Sequence, residues 1–502
     1  MIHRCTILAL IAAAWGATAR ADDWLHYAGD ARRSGIAQHA PDSLNATLWS
    51  VSQHPPGTPI AFEGPSGPVV FAGRVYVNAR HLVSNLHVNN KLVAVEASTG
   101  QVLWQTLVAK SVLDSWSSPA VDEVNGLVLL ATGARLNAVD ALTGELRWTA
   151  VLNRNVVNAS PLVLPDAAAG RAFITDFDGF GQSASLYCIN TSPLNAVGNP
   201  YEPGEIVWSE PIGGASGATA AGEGGIVYVS SISFDEQSCF EIGAITALEV
   251  AAPPGSRRLW TTCAGTGFFG GVTLANGYLY AASYNLSGSG DNSLLVKLDA
   301  ATGQPVWTIP CERTSSTPVV VEDRIYLSAG INGFGSAPKV QCFRDDGALA
   351  VKLWDTYVDT GGALVLGGWT HQPVYSDGVL YVGKIPTGGG FFGAYTDLYA
   401  LDVSRSPGDP LFVREHRMGM GSSPALADGQ LYSIGPAGLT ALARRGDCTG
   451  DGTLNGLDIA CFVDRLLHGS SIADAALLDF TSDGMLTVED VPDFVAALLG
   501  VP

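Results

Sequence analysis

Two stretches near the C-terminus hold oxygen-bearing side chains at the spacing of a cation-binding loop. In GDCTGDGTLNGLDI, Asp447, Thr449, Asp451, Thr453, Asn455 and Asp458 take positions 1, 3, 5, 7, 9 and 12 of the loop, with Gly452 at position 6. In DFTSDGMLTVED the same places fall to Asp479, Thr481, Asp483, Met485, Thr487 and Asp490, with Gly484 at the sixth. Alternating oxygens can wrap a hard cation, the glycine permits a sharp turn, and position 7 offers its backbone carbonyl. The loops stand 32 residues apart. At the same offset Ile459, Phe462, Val463, Leu466 and Leu467 recur as Val491, Phe494, Val495, Leu498 and Leu499, a spacing that predicts one apolar stripe on each of two helices. Two loop-helix units facing each other across a small core, pinned by two Ca2+ ions, are therefore expected over residues 446–502. Threonine at position 3 of both loops is a weaker ligand than a carboxylate and lowers the expected affinity.

This segment differs in charge from the rest of the chain. The protein has 502 residues and a net charge of −20, from 47 acids against 27 bases. Between residues 446 and 502 the only Lys or Arg is Arg465, which marks a domain boundary. Such an acidic balance argues against nucleic acid as a partner. Residues 1–21 place His3 and Arg4 before an apolar run from Ile7 to Trp15 and end on Ala19-Arg20-Ala21, the pattern of a secretory signal peptide. That run is too short to span a bilayer, and no later stretch reads as a transmembrane helix. An exported chain can hold disulfides, and of its 8 cysteines all but Cys5 follow the signal. Cys239 and Cys263 flank one strand-turn-strand unit, so antiparallel pairing would bring them together; buried free thiols are the alternative. The absence of any CxxC pair suggests neither redox nor zinc chemistry.

The elements between these ends are set by repetition. LNAVDALTGELRW (Leu136 to Trp148) reads as strand, tight turn and strand, and KLVAVEASTGQVLW and SLLVKLDAATGQPVW repeat it. A second recurrent element precedes each copy: small residues with proline, an apolar strand, a polar turn and an aromatic strand, as in SSPAVDEVNGLVLLAT. Together they give seven complete four-stranded units, with outer-strand aromatics at Trp104, Trp148, Trp208, Trp260, Trp307, Trp354 and Phe412. An eighth unit lacks its outer strand, which NATLWSV at the other end of the chain can supply. The expected fold is an all-β, eight-bladed propeller over residues 22–445, closed by an N-terminal strand so that no sheet edge is left open. Naming strands A to D outward from the axis, the A–B and C–D turns are mostly minimal, whereas insertions gather in the B–C and D–A connections, the face where repeat proteins bind.

On that face the residues able to make contacts are Trp116, Arg154, Phe180, Tyr284, Arg313, Phe334, Trp369, His371, Phe391, Phe392, Tyr395 and Arg417. Aromatics among glycines suit flat protein or carbohydrate partners. The A-strand starts that should line the axis are small and neutral, with His371 the one titratable side chain. No Ser/His/Asp arrangement, phosphate loop or metalloprotease helix can be read along the chain.

The hairpins VDALTGELRW and LDAATGQPVW resemble the repeat of pyrroloquinoline-quinone-type (PQQ-like) propellers, and DWLHYAGDARRSG resembles the opening segment of that superfamily. The doubled acidic loop with its doubled helix resembles a type I dockerin. The first resemblance implies fold more than function, since it spans quinone-dependent dehydrogenases and outer-membrane assembly lipoproteins. A quinone enzyme needs a tryptophan platform and a carboxylate base, for which Trp369 and Asp359 are the candidates. Quinone binding is not the favoured reading, because the adjacent cysteines frequent in such enzymes are missing. What the residues favour is a secreted, periplasmic or cell-surface binding propeller without catalysis, whose tail attaches to a cohesin-like or cell-surface protein. A PQQ-dependent alcohol or sugar dehydrogenase is the alternative.

Overall fold

The computed structural model describes residues 23–500 apart from 55–56, 63, 111–115, 166–169, 178–182, 196–197, 215–216, 233–242, 265, 286–289, 334, 387–393 and 471. The expected signal peptide lies outside the described residues, as do Phe180, Phe334, Phe391 and Phe392. The strands form eight sheets, seven of four strands and one of five, each antiparallel and ordered by sequence from inner to outer strand. This is an all-β, eight-bladed propeller followed by a few short helices. In the last blade the order is Ala425–Ala427, Gln430–Gly435, Gly438–Ala443 and then β1, Ala46–Val51, with Ala46 opposite Ala443 and Val51 opposite Leu439. No helix among the described residues is long and apolar enough to cross a membrane.

Why the blades stack into a ring is visible in the outer strands. Each D strand carries a register shift one residue before its aromatic position, between Leu146 and Trp148 in blade 2 and between Thr47 and Trp49 in blade 8. A bulge bends and twists the strand locally and re-aims the following side chain. The re-aimed indole lies over the C–D turn of the next blade: Trp104 over Gly144, Trp148 over Gly204, Trp260 over Gly303, and Trp49 over Gly100. A Cβ on Gly144 would stand 2.6 Å from the Trp104 ring, and the residue also has φ +75°. Glycine in the Thr-Gly turn therefore satisfies two demands, a left-handed backbone and room for a neighbour's indole. Indole N–H groups add polar fixing: Trp49 donates to Ala97 O at 2.8 Å, Trp208 to Val250 O at 3.2 Å and Trp307 to Asp345 Oδ1 at 3.0 Å. In blades other than the second a B-strand aromatic of the same blade backs the ring, as Tyr76 does for Trp104 and Tyr432 for Trp49, whereas the blade 2 strand Leu127–Thr132 has none behind Trp148.

One outer-strand aromatic is corrected. Phe412 precedes the strand Val413–Met418 and packs edge-on against Trp354 of blade 6. Opposite Ala400, where the other blades place tryptophan, blade 7 has Glu415. The reason is that blade 8 offers no Thr-Gly turn to cover, because its third and fourth strands come from opposite ends of the chain. Glu415 instead accepts from the N–H of Leu44, at 3.0 Å to each carboxylate oxygen, just ahead of β1.

Beyond the last blade come α1 (Asp458–His468), α2 (Ile472–Leu478) and α3 (Val491–Leu498). Phe462, Leu478 and Phe494 form their core, with the rings of Phe462 and Phe494 stacked at 4.0 Å. The expected stripes divide: Leu466 and Leu498 join the core, whereas Ile459, Val463, Leu467, Val495 and Leu499 are exposed. The inward face is narrower than the sequence spacing suggested because two short helices and α2 can enclose little more than the paired phenylalanines. Cys448 and Cys461 are disulfide-bonded, tying the first acidic loop to α1. Cys263 is also disulfide-bonded; Cys239, its expected partner, lies outside the described residues. Cys188, Cys311 and Cys342 are buried and carry no disulfide.

Gly144→Ala is expected to lower stability by about 1–2 kcal/mol for left-handed strain plus about 1–3 kcal/mol for displacing the indole. Gly126→Ala, at φ +62° with open space around it, should show the strain alone. Urea midpoints of the two variants compare them directly, and equal losses would refute the docking role of the Thr-Gly turn.

Candidate functional site: the propeller axis and the paired acidic loops

The axis is filled from one end by the N-terminal segment. The A strands are innermost, and the segment meets them one after another: Val70 N–H donates to Trp24 O, Val121 N–H to Leu25 O, Gly222 N–H to Ala31 O, Leu274 N–H to Arg32 O and Tyr375 N–H to Gly35 O, all within 2.8–2.9 Å. Val163 N–H donates to His26 Nε2 at 3.1 Å. Arg33 is wholly buried and donates to the carbonyls of Ala220, Tyr27 and Pro161 at 2.9, 3.1 and 3.0 Å. Burial, only partly offset by Asp30 and Tyr27, pulls its pKa down to about 10. The segment DWLHYAGDARRSG thus replaces the partners that inner-edge N–H groups would otherwise lack.

Toward the D–A face a ring of short side chains joins blade to blade. Gly67 N–H donates to Ser118 Oγ, Ser118 N–H to Ser160 Oγ, Ser160 N–H to Thr219 Oγ1, Thr317 N–H to Gln372 Oε1 and Gln372 N–H to Ser423 Oγ, at 2.8–3.1 Å. Gly271 of blade 5 interrupts the ring because a Cβ there would stand 2.4 Å from Thr219 O. Most of these are the Ser-Pro and Thr-Pro starts of the sequence repeat, with Thr219-Ala220 and Gln372-Pro373 in blades 4 and 7. Their hydroxyls satisfy a neighbour's backbone, so they are committed to structure.

Above the ring the axis is closed by aromatic side chains. Trp369 is 4% exposed and meets Trp116 edge-on at 5.6 Å and Tyr284 at 5.6 Å, with Phe269 against Tyr284 at 4.5 Å and Ile331 in the same cluster. His371 is buried beside Tyr395 at 5.0 Å, its Nε2 accepting from Gly383 N–H at 2.9 Å. The Tyr395 hydroxyl lies 2.9 Å from Thr370 Oγ1. Arg313 is buried at 3.6 Å from Glu312, and Lys339 reaches the other Glu312 oxygen at 3.3 Å. Tyr284, Arg313, Trp369, His371 and Tyr395, expected to form a contact face, are therefore interior: a ring of this size leaves an axial volume that only large side chains can fill. Trp116 is half-buried, and Arg154 and Arg417 stay at the surface, Arg154 donating to Ser183 O at 2.7 Å and Arg417 lying 3.7 Å from Glu415.

A stacked quinone does not fit these residues. Trp369 is enclosed by two other rings, and Asp359, the candidate base, sits on an exposed turn where its carboxylate accepts from Asp355 N–H at 2.8 Å. The two do not converge. Sequence reasoning missed Arg33, Phe269 and Ile331 because none belongs to a repeated motif. Two cavities lie along the N-terminal segment; one of about 750 Å3 is lined by Asp30, Arg32, Leu164, Arg171 and Glu223.

The acidic loops are near copies in space. In the first, Asp447 accepts from the N–H groups of Gly450, Asp451 and Gly452, and Asp458 from those of Cys448, Thr449 and Asn455. In the second, Asp479 accepts from Ser482, Asp483 and Gly484, and Asp490 from Phe480, Thr481 and Thr487. Thr449 Oγ1 donates to Asp458 at 2.9 Å, and Asn455 Nδ2 to Asp451 at 3.0 Å. Burial, with Asp458 and Asp451 nearby, pushes the Asp447 carboxyl up to about 6, whereas backbone N–H donors help hold Asp479 below the usual range against its own burial. Among the described residues no three His, Cys, Asp or Glu side chains converge as a metal group. The donor set is nevertheless all oxygen, with the buried Asp447 beside two further carboxylates, and this chemistry fits a hard cation. Both loops touch the segments flanking the last blade: Asp42 N–H donates to Gly452 O of the first at 2.8 Å, and Arg445 Nη1 donates to Asp479 O of the second.

Residues 39–252 and 243–404 match the PQQ_2 family, described as outer membrane protein assembly factor BamB. The chain belongs to this family. Its fold is shared with a europium-containing methanol dehydrogenase (12% identity, TM-score 0.58, covering 82% of this chain and 89% of that one). BamB from Moraxella catarrhalis is similar at 16% identity and TM-score 0.51, over 80% and 98% of the two chains. The quinohemoprotein alcohol dehydrogenase from Comamonas testosteroni gives 12% and 0.54, over 84% and 80%. At these identities the likeness shows the fold alone. No curated protein matches the chain.

Burial lowers the pKa of His371 from 6.5 to about 3 and drives that of His26 down as well. Between those values the unfolded chain takes up a proton that the folded one refuses, so stability falls as pH drops from about 6.5 toward about 3. His371→Gln, which keeps an acceptor for Gly383 N–H, should make that fall shallower in acid-unfolding curves. An unchanged slope would show that His371 is not held neutral.

Proposed function

We propose that the protein is an exported, non-catalytic propeller that binds a protein or carbohydrate partner on its elaborated loop face and is attached through a Ca2+-binding, dockerin-like tail. The observation that carries this reading is that the chain's own side chains fill the axis, Arg33 from one end and Trp369, Trp116 and Tyr284 from the other. A planar quinone needs the volume those rings occupy. Membership of a family described as an assembly factor supports a protein-binding role, and together with the signal-like residues 1–21 it supports a periplasmic, secreted or cell-surface location.

In this reading residues 22–445 are the propeller, and β1 is the clasp that closes the ring. Residues 446–502 are a separate unit whose loops take two Ca2+ ions through Asp447, Thr449, Asp451, Thr453, Asn455, Asp458 and their counterparts Asp479 to Asp490. Val463 and Leu467 on α1 and, 32 residues on, Val495 of α3 and Leu499 just after it present apolar side chains, with Ile459 beside them. They suit a cohesin-like or cell-surface protein.

Purified protein supplied with PQQ and Ca2+ is expected to leave an artificial electron acceptor unreduced in the presence of alcohols or sugars. Turnover would replace the binding reading with the dehydrogenase. Chelation of Ca2+ from the whole protein is expected to lower its first melting transition, and Asp483→Ala to reduce the bound ions from two to one in a calorimetric titration. Melting that ignores the chelator would remove the physical basis of the tail assignment.

A further inference from the structure

Blade 1 differs from its neighbours in reach. Its B and C strands, Arg74–Val83 and Leu86–Glu96, run 10 and 11 residues, against 6 and 6 in blade 2. At about 3.3 Å per residue the hairpin stands roughly 13 Å past the adjoining blade, on the face of the B–C connections. The turn at its tip is Ser84-Asn85, and around it Leu82, Val83, Leu86 and Val88 are 42, 49, 68 and 41% exposed. Consecutive residues point to opposite faces of a strand, so Leu82 and Val83 make both faces of the ribbon apolar. The base is held on both edges: Ala61–Phe62 pairs with Arg80 and Ala79, and the outer strand pairs as far as Asn89.

Charge at this base runs against the rest of the chain. From Arg80 to Val95 the hairpin carries Arg80 and Lys91, with His81 and His87 beside them, and no acid, in a protein of net charge −20. Lys110 adds a further cation, its Nζ donating to His87 O at 2.9 Å.

We infer that this hairpin is a membrane-contact element: its apolar tip enters the interface of an anionic bilayer while the cations at its base meet the headgroups. A flat protein surface would cover one face of the ribbon, whereas lipid surrounds both. The tip strands extend too few residues past their paired edges to template an added strand. Their reach matches the roughly 5–10 Å depth of an interfacial apolar element, and the basic collar is complementary to anionic headgroups.

The test is co-sedimentation of the whole protein with vesicles of phosphatidylglycerol and phosphatidylcholine against phosphatidylcholine alone, with and without added salt. Binding to the anionic vesicles, weakened about ten-fold or more by Leu86→Asp or by Arg80→Glu with Lys110→Glu, is expected. A dye attached at Leu86→Cys should shift to the blue on the same vesicles; Cys188, Cys311 and Cys342 are buried and should not compete for it. Absence of vesicle binding overturns the proposal, as does binding that survives both variants. If the tip variants instead disrupt a protein complex while vesicles are ignored, the surface is a protein interface and the lipid reading is wrong.

Discussion

An indole laid over a neighbour's glycine is the contact on which the architecture depends. Each four-stranded sheet is a separate antiparallel unit with no hydrogen-bonded ladder to the next, so the seams must be held by side chains. The outer bulge turns Trp49, Trp104, Trp148 and Trp260 toward the next blade, and a turn glycine, Gly100, Gly144, Gly204 or Gly303, leaves space for each of them. Where the pattern fails, the seam changes chemistry: Glu415 holds Leu44 N–H because no turn exists there to cover.

Inside the ring the requirement is the opposite. The inner strands begin on polar side chains that are used up in inter-blade hydrogen bonds through Ser118, Ser160, Thr219, Gln372 and Ser423. Their edge N–H groups need partners away from water, and the opening segment supplies them while Arg33 anchors it. At the other end the loops are long enough to fold inward, and Trp369, Trp116 and Tyr284 close the volume.

The C-terminal unit is joined to the last blade by more than a linker. Its first acidic loop bonds Asp42 just ahead of β1, and Arg445 bonds both the side chain of Asn45 and the carbonyl of Asp479. The segments entering and leaving the last blade therefore meet at the helical unit, which stands where the other blades have a short turn.

By itself the sequence determined the number of blades, the order of strands within each and the duplicated loop-helix tail, because repetition and period-two alternation are local properties that survive without coordinates. It also determined the place of the outer tryptophans, and before Trp104, Trp148 and Trp307 the Thr-Gly-x-x-x-Trp spacing encodes turn, bulge and indole together. Tertiary structure alone decided which aromatics are surface and which are plug. Tyr284, Trp369 and Tyr395 sit in glycine-rich stretches that look like exposed loops, and only ring closure gives them an interior to fill. It alone placed Arg33 on the axis, revealed Glu415 in the position of a tryptophan and divided the helical stripes into Phe462 and Phe494 inside, Val463 and Val495 outside. The reason is physical: burial depends on what lies across the ring, hundreds of residues away, and no local pattern carries that distance.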